Sequence, residues 1–452
     1  MSKTYRDWSP NQAYMFPPTP QDWLPKDDLV YFILDTVATL DLTPIFNHYE
    51  RELRGQPPFH PRMMVALLLY CYATGTRSSR KIMRRCRTDV ACRIIVGEDI
   101  PDFRTISEFR KTHLDQLETL FVEILKLCAL AGLVKVGTIA LDGTKVKANA
   151  SRHKAMSYER MQQEEQRLKE EVARLLAEAE ASDASEDAAH GPDRSGDEVP
   201  AELARRQSRL AKIQQAKAEL EERARKEATE EAARREAKGE TPSAKAPADA
   251  VPDPKDQINF TDPESRIMKA SNKGWDQCGN AQAVANEAQI ILAADVTDQA
   301  NDKRQALPMV DQTRENLDAA GVEQAIGAGV MDTGYYSEAN TVGLEERGID
   351  PYVATERLKH NEKIPQVPRG RIPKDLSAKQ RMARKLRTKQ GRETYAKRKG
   401  IIEPIFGQLK QVLGFRQFSL RGLAAMRSEW RLMCTVHNLL KLWRHSQAAV
   451  AG

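Results

Sequence analysis

Several features that define common protein classes are missing from this sequence of 452 residues. Its longest apolar run, Met63–Tyr72, is far shorter than the roughly 20 residues that a membrane-spanning helix needs. The N-terminal residues contain no apolar signal-peptide region. The six cysteines are scattered without a C-x-x-C pair, so we expect reduced thiols rather than a disulfide or zinc framework. These absences predict a cytoplasmic protein with no membrane partner.

Motifs of three common enzyme classes are missing as well. The chain has no G-x-x-x-x-G-K-[ST] phosphate loop, no G-x-G-x-x-G after a strand and no H-E-x-x-H zinc motif. The eight histidines are dispersed, and His437, in an apolar helical segment, is expected to be a core histidine. Charged residues make up 30% and apolar residues 40% of the chain, which predicts folded domains rather than disorder throughout. The length predicts two or three such domains.

Charge is abundant and unevenly distributed. Residues 351–450 contain 23 Lys and Arg against six Asp and Glu, a net charge of +17, whereas the whole chain carries only +6. Residues 151–250 contain 19 basic and 23 acidic side chains, a net charge of −4. A short basic run is usually a solvated face. A bias across a hundred residues favours an anionic partner, and the common polyanion of the cytosol is nucleic acid.

The N-terminal region predicts an arm followed by a helical domain. Residues 1–28 are rich in proline and aromatic residues and predict an extended arm that ends at an Asp27-Asp28 cap. Residues 29–131 predict a helical domain with basic helix starts, a pattern that fits a helix-turn-helix-like DNA-binding module and an ordinary helical bundle equally well. The basic side chains concerned are Arg80, Lys81, Arg104, Arg110 and Lys111.

Apolar periodicity places the helices of this domain. They are predicted at Leu29–Leu40, Pro61–Ala73, Ser78–Cys86, Asp89–Val96 and Ser107–Leu130. The last helix is expected to open with a capping box between Thr105 and Glu108.

Residues 132–151 and 255–445 predict a mixed α/β domain. Alternating apolar and β-branched residues predict a strand at Val134–Val146, and strand patterns return within Ala281–Val296. A helix, a strand, a helix, a strand and a long helical region are then predicted at Ala306–Ala319, Ala325–Met331, Ser337–Glu346, Asp350–Ala354 and Ile401–His445. This order predicts a mixed sheet flanked by helices.

A charged insertion interrupts that domain. Leucine, valine, isoleucine and alanine residues within 152–240 follow coiled-coil spacing on both sides of an acidic loop, Asp183–Pro200. We therefore predict a charged helical hairpin at 152–240, followed by a flexible Pro/Ala/Ser linker at 241–254.

Two aspartates stand at the ends of predicted strands. Asp142 follows Ile139-Ala-Leu and precedes Gly143, and Asp332 follows Gly329-Val-Met and precedes Thr333-Gly334. Each aspartate taken alone fits a helix cap or a turn. As a matched pair in one sheet domain they favour a site, because open α/β sheets bind ligands beyond the carboxyl ends of their strands.

Glu403 is the third candidate acid, and we expect it to open a helix that packs on the sheet. Three carboxylates brought together repel one another by roughly 4 kcal/mol per pair at ~4 Å and an effective dielectric of ~20. Such a site predicts divalent metal, and oxygen ligands without His or Cys favour Mg²⁺ or Mn²⁺. With a basic region to hold phosphates, two ions per site fit phosphodiester chemistry.

At this point the chain resembles a known family, the bacterial insertion-sequence transposases of the DDE type. The segments that carry the resemblance are Leu141-Asp-Gly-Thr-Lys-Val, Ala294-Asp-Val-Thr-Asp-Gln-Ala-Asn-Asp, Met331-Asp-Thr-Gly-Tyr-Tyr and Glu403-Pro-Ile-Phe-Gly-Gln-Leu-Lys. The resemblance covers nearly the whole chain and implies an RNase H-like catalytic core behind an N-terminal helical transposase domain.

The resemblance also implies a function. Asp142, Asp332 and Glu403 would be the catalytic, metal-binding triad of an enzyme that cuts double-stranded DNA at terminal inverted repeats. The freed 3′-OH would then attack target DNA, with a homodimer in the synaptic complex. Related enzymes carry a Tyr-x2-Arg-x3-Glu-x6-Lys signature, which implies phosphate contacts for Tyr395, Arg398 and Lys410. Here one extra residue separates Arg398 from Glu403.

Three alternatives remain open. Asp295 also ends a strand pattern and competes with Asp332, while Asp298 and Asp302 nearby are interpreted as turn or supporting residues. A transposase remnant that binds DNA without chemistry would keep the basic regions. A nuclease that cuts without joining would share the same acids.

Overall fold

The computed structural model describes residues 19–51, 56–190, 201–237, 246–270, 274–356, 367–368, 373 and 375–451. Side chains are described for these residues except 20, 179–190, 201 and 450–451. Most of the predicted N-terminal arm therefore lies outside the described residues, as do parts of the predicted acidic loop and linker.

The N-terminal region is helical. After a 3-10 turn at Pro20–Trp23 come α1 (Leu29–Thr39), α2 (Thr43–Glu50), α3 (Pro61–Ala73), α4 (Ser79–Thr88), α5 (Val90–Val96), α6 (Phe103–Thr112) and α7 (Leu114–Leu130). Aspartate side chains cap three of them: Asp28 accepts a hydrogen bond from Val30 N, Asp89 from Cys92 N and Asp102 from Arg104 N. The predicted cap before the first helix is confirmed at Asp28.

Two predictions in this region are wrong. The helix predicted at Ser107–Leu130 is two helices, since the backbone leaves helical geometry at His113, with φ −110° and ψ 29°. Thr105 lies inside α6 rather than in a capping box, because Asp102 caps the helix one turn earlier. The sequence pattern also missed α2.

A strand and a long helical hairpin follow. Strand β1 (Thr138–Lys147) leads to the short strand β2 (Ala155–Ser157), then to α8 (Tyr158–His190) and α9 (Ala201–Ala237), and the chain returns through strand β3 (Gln257–Asn259). β2 and β3 pair antiparallel, so they close the base of the hairpin with Ser157 opposite Gln257. Tyr158, Leu168, Ile213 and Leu220 belong to a small apolar cluster that is separate from the main core.

The main sheet is mixed. The chain continues through β4 (Arg266–Lys269), β5 (Trp275–Asn286), β6 (Ile291–Thr297), α10 (Ala306–Ala319), β7 (Ala328–Met331), α11 (Glu338–Glu346) and β8 (Asp350–Val353). The sheet order is β4-β5-β1-β7-β8, and β6 pairs with β5 beside β4. β5 is antiparallel to β1, β4 and β6, whereas β1, β7 and β8 run parallel. The predicted mixed α/β architecture is confirmed.

The C-terminal region holds α12 (Ala378–Arg387), α13 (Lys389–Gly407), a π-helical turn at Gln408–Val412 and α14 (Leu423–Ala451). The predicted helix at Ile401–His445 is therefore wrong in its bounds. Glu403 does not open a helix but lies near the end of α13, which begins fourteen residues earlier in the basic segment. Thr388 caps α13 by accepting a hydrogen bond from Gly391 N.

One hydrophobic core joins the N-terminal helices to the sheet. α7 packs along α14, which in turn packs on β6, and buried residues of all three belong to the same cluster, including Ile124, Leu439 and Leu292. Within the described ranges no single helix is long and apolar enough to cross a membrane. Only α1 and α2, bent by 71° relative to each other, reach that apolarity when taken as a pair.

Candidate active site

Asp142 and Asp332 lie side by side on neighbouring parallel strands. The pairing of β1 with β7 ends at Leu141 opposite Met331. The next residue is Asp142 within β1 and Asp332 directly after β7. The prediction that Asp142 ends its strand is wrong. β1 continues to Lys147, and beyond Leu141 it pairs with β5 but not with β7. The edge that Asp142 and Asp332 share is set by the end of β7.

Backbone N–H groups orient both carboxylates. Asp142 Oδ1 accepts a hydrogen bond from Gly143 N at 2.8 Å, and Asp332 Oδ1 accepts one from Gly334 N at 2.8 Å. Asp332 thereby caps the 3-10 turn Thr333–Tyr335. In each case one oxygen is held by the chain that follows the acid.

Helix α13 brings Arg398 and Glu403 to the two aspartates. Arg398 Nη1 donates to Asp142 Oδ2 at 2.7 Å, and its Nη2 lies 3.9 Å from Glu403 Oε1. Tyr395, one turn earlier on α13, is half-buried, and the neighbouring Arg398 opposes the rise in the Tyr395 pKa that burial causes. Glu403 is 56% exposed at its side chain and reaches Asp142 only through this guanidinium.

The site holds excess negative charge. Burial raises the pKa of Asp142 to about 6, the Arg398 guanidinium opposes this rise, and the neighbouring Asp332 adds to it. Three carboxyl groups, of Asp142, Asp332 and Glu403, face the single guanidinium of Arg398 here. The oxygen donors and this deficit fit a hard divalent cation.

The three acids do not form a closed metal site. Among the residues that the structure describes, no group of three His, Cys, Asp or Glu side chains is close enough to hold a metal ion. Instead, the Arg398 side chain lies between Asp142 and Glu403 and contacts both. Only 15% of it is exposed to solvent.

Lys410 contacts strand β1. Its ammonium group donates to Thr144 Oγ1 and to the backbone oxygen of Lys145, which is 3.1 Å away. Lys410 therefore binds β1 at the second and third residues after Asp142. Burial lowers the pKa of Lys410. Its predicted phosphate contact does not fit this placement, because the ammonium group is already bonded to the sheet.

The rival acid Asp295 lies elsewhere. It pairs in register with Gln282 of β5, one position out of step with Ala283, the partner of Asp142. Its carboxylate accepts a hydrogen bond from Arg427 of α14. Asp298 pairs with Arg266 at 2.9 Å. The geometry therefore brings Asp332, and not Asp295, beside Asp142.

Behind the two aspartates lies a polar network, of which sequence reasoning found only Asp302, as a turn or supporting residue, and missed the partners. It consists of Asp302, Asn280, Gln282 and Tyr335, whose hydroxyl donates to Gln282 Oε1. The available signal was a glycine one residue after Asp142 and two residues after Asp332, since glycine permits close approach of other groups to the backbone.

Exposed basic residues of α4 and α6 form a second candidate surface. Lys111 and Arg110 lie in the last turn of α6, so the prediction that they start a helix is wrong. Arg80 of α4 and Arg104 of α6 lie over the ring of Phe103, 4.7 and 5.6 Å from its centroid. With Lys111 they line a shallow cleft that also contains Ser78, Ser79 and Ser107. Lys81 is exposed on the same helix as Arg80.

Arg110 is the exception among the predicted basic residues. It is 7% exposed, and its guanidinium donates to Tyr72 Oη at 2.8 Å, to Ser79 Oγ at 2.7 Å and to the backbone oxygen of Arg77 at 3.0 Å. The predicted DNA contact of Arg110 does not fit this position, because the side chain braces α3 against the start of α4 from inside the domain.

Comparison with protein families gave two matches. Residues 18–112 match the family described as "Transposase domain (DUF772)", and residues 246–439 match the family described as "Transposase DDE domain". The second match contains Asp332 and Glu403 and begins after Asp142 and the helical hairpin. It implies an RNase H-like fold, which confirms the predicted fold class. Comparison with curated proteins and with solved structures gave no match.

Proposed function

Because this chain belongs to the transposases of the DDE type, we propose that it mobilises its own insertion sequence. In this proposal a homodimer binds the terminal inverted repeats in the cytoplasm, at the nucleoid. It cleaves the DNA strands there and joins the freed 3′ ends to target DNA.

The observation that carries the proposal is the convergence of Asp142, Asp332 and Glu403 around Arg398. Two acids share one edge of the sheet, and the third reaches them from α13 through the same guanidinium. Asp142, Asp332 and Glu403 would hold two Mg²⁺ or Mn²⁺ ions. These ions would supply activation of the attacking oxygen and stabilisation of the leaving oxygen.

The chain's own residues prepare this site. Gly143 N and Gly334 N fix one oxygen of each aspartate, which leaves Oδ2 of each free of these backbone bonds. Arg398 neutralises part of the charge of Asp142 and Glu403 while cations are absent. Lys410 holds the continuation of β1, so its role in the proposal is to position Asp142 rather than to bind phosphate.

Two basic surfaces would contact the DNA backbone. Near the site, exposed cations follow α12 and α13: Arg381, Arg387, Lys389 and Lys399. Since α13 also carries Glu403, DNA bound along this helix passes the acids. In the N-terminal region, Arg80, Lys81, Arg104 and Lys111 would bind phosphates at the serine-lined cleft.

The test uses purified protein, Mg²⁺ and DNA that carries the repeats flanking its own gene. The wild-type protein should produce new 3′ ends at the repeat termini and joined products. Asp142→Asn, Asp332→Asn and Glu403→Gln should each lower cleavage by at least about a thousandfold, with repeat binding within about threefold, because each would remove a catalytic ligand but no DNA contact. Glu393→Gln, an exposed acid on the same helix, is the matched control.

Other outcomes separate the alternatives. Cleavage without joined products would indicate a nuclease, and repeat binding without cleavage by the wild type would indicate a DNA-binding remnant. Binding should weaken steeply with salt, because several phosphates are neutralised at once. A triad variant that cleaves at the wild-type rate removes its residue from the proposed site.

A further inference from the structure

Asp302 connects the strands beside Asp142. Its Oδ1 accepts hydrogen bonds from Asn280 Nδ2 at 2.6 Å and from Gln282 Nε2 at 2.8 Å, and it lies 3.2 Å from Lys145 Nζ. Asn280 and Gln282 are fully buried on β5, and Lys145 lies on β1. One carboxylate, in the segment after β6, thus binds side chains from two adjacent strands.

This network packs directly against the backbone that follows Asp142. A Cβ placed on Gly143 would lie 2.4 Å from Gln282 Nε2 and 2.9 Å from Asp302 Oδ1. Both distances are shorter than carbon atoms tolerate. A side chain at position 143 would therefore displace Gln282 or Asp302, and the chain beside Asp142 rests on the Asp302 network.

The same network reaches the turn that follows Asp332. A Cβ on Gly334 would lie 3.0 Å from Asp332 Oδ1 and 3.4 Å from Asp302 Oδ2, so the two carboxylates flank this glycine. Tyr335, fully buried, donates its hydroxyl hydrogen to Gln282 Oε1. Asp302 is therefore linked to the loops of both candidate acids.

From these contacts we infer that Asp302 is a positioning residue that fixes the Asp142-Gly143 and Asp332-Thr333-Gly334 segments relative to each other. The inference rests on the proposed function, in which both aspartates hold cations. Two neighbouring carboxylates repel each other, so their separation depends on what holds the backbone behind them. Groups that orient metal ligands typically change metal affinity or activity 10- to 100-fold when they are removed.

The test measures Mn²⁺ binding by electron paramagnetic resonance with purified full-length protein and no DNA. Asp302→Ala should weaken Mn²⁺ binding by about tenfold or more, since all three partners of Oδ1 are lost. Asp302→Asn keeps an oxygen acceptor, so its loss should be about three- to tenfold. Asp311→Asn is the matched control, because Asp311 is a paired carboxylate that binds Arg347 at the end of α11 instead.

Strand cleavage and repeat binding are measured on the same variants. The cleavage rate at saturating Mn²⁺ should fall in the order wild type, Asp302→Asn, Asp302→Ala, while repeat binding stays within about threefold. This graded rescue by the conservative variant would not follow from a general loss of folding. If Asp302→Ala does not fold, Asp302→Asn decides the matter alone.

The inference is overturned if both Asp302 variants bind Mn²⁺ within about twofold of the wild type, or if Asp311→Asn loses as much affinity. In that case Asp142→Asn should still weaken Mn²⁺ binding, and the proposed function stands. If the wild type binds no Mn²⁺, or Asp142→Asn binds it as well as the wild type does, the proposed metal site and the positioning role both fall.

Discussion

At the scale of single residues, the burial of Asp142 lowers stability, and the ion pair with Arg398 offsets only part of that cost. Arg398 donates to Asp142 at 2.7 Å, and 15% and 19% of the two side chains are exposed. Even so, burial raises the pKa of Asp142 to about 6, so ionised Asp142 destabilises the folded protein at neutral pH. Residues that reduce stability in this way are typical of functional sites.

Asp142→Asn should therefore stabilise the protein in the absence of metal. The raised pKa of Asp142 gives a contribution to stability that is present below its usual pKa of 3.8 and is lost as the pH rises through about 6. Replacing the carboxyl by an amide should raise the free energy of unfolding at pH 7.5 by about 1–3 kcal/mol, and by less at pH 4. Urea unfolding in the presence of a chelator measures this.

Glu403→Gln is the control for that experiment, because the Glu403 side chain is 56% exposed. It should change the free energy of unfolding by no more than about 0.5 kcal/mol. An Asp142→Asn variant that is equally or less stable than the wild type at pH 7.5 would contradict the interpretation of Asp142 as a strained, charged site residue.

At the scale of elements, the sequence patterns predicted those helices whose bounds are set by their own residues. Pro61–Ala73 and Ala306–Ala319 have the predicted bounds, because a continuous apolar run determines the first helix and an apolar periodicity the second. The start of α13 was missed, because residues 389–400 are polar and basic and show little apolar periodicity. That helix is secured by its Thr388 cap and by packing on β1, which a sequence pattern does not reveal.

Side chains of helix α14 hold the turn between β5 and β6, which lies about 150 residues earlier in the chain. Asn438 accepts a hydrogen bond from Ile291 N and donates one to Ile291 O, both at 2.8 Å, so its side chain pairs with the start of β6 as a strand would. His437 Nε2 is 2.8 Å from the backbone oxygen of Gln289, a residue with φ +62° in the β5–β6 turn. The histidine predicted to be a core residue is fully buried there.

His437 should make the protein less stable in acid. Burial lowers the pKa of His437 to about 4, so the unfolded chain binds a proton below pH 6.5 that the folded protein does not. Stability from this group is complete above pH 6.5 and is lost as the pH falls toward 4. Between pH 7.5 and 5 the loss should be about 2 kcal/mol.

His437→Gln tests this sign, since glutamine can still donate to the Gln289 oxygen but does not titrate. Its free energy of unfolding should fall less between pH 7.5 and 5 than that of the wild type, by about 2 kcal/mol. His113, whose pKa burial also lowers to about 4, remains in both proteins and cancels in the comparison. Equal pH dependence of the two proteins would refute the assignment.

At the scale of the whole molecule, the N-terminal helices and the sheet domain are joined through α7 and α14. Ser428 donates to Glu118 at 3.0 Å across this contact, and Arg77 donates to the backbone oxygens of Gly414 and Gln417. The sequence predicted a separate N-terminal domain because its helical texture changes at Gly132. It did not reveal the shared core, since that depends on contacts some 300 residues apart in the chain.

Part of the candidate site could likewise be predicted from the sequence, and part could not. The adjacency of Asp142 and Asp332 was predictable from the expected meeting of parallel strands at one edge of a sheet. The continuation of β1 past Asp142, paired with β5, was not. The positions of Arg398, Lys410 and Asp302 were not, because each depends on the register between elements that are distant in sequence.

The buried apolar residues of the helical hairpin do not belong to the main hydrophobic core. These residues form their own cluster, and β2 and β3 bring the two ends of the hairpin together at Ser157 and Gln257. A chain in which residues 158–256 are replaced by Asn-Gly should therefore keep the sheet and its acids, since this dipeptide favours a two-residue hairpin turn.

We expect this shortened chain to unfold cooperatively with a Tm within about 5 °C of the wild type, because the main core loses none of its buried residues. Ile258, which is buried against the hairpin, becomes exposed, so Ile258→Thr is included in the shortened chain and, as a control, in the full-length protein. Mn²⁺ binding should be unchanged within about threefold, since the carboxylates lie outside the deleted segment. A shortened chain that is unfolded, while full-length Ile258→Thr is folded, would mean that the hairpin is part of the sheet domain's fold rather than an addition to it.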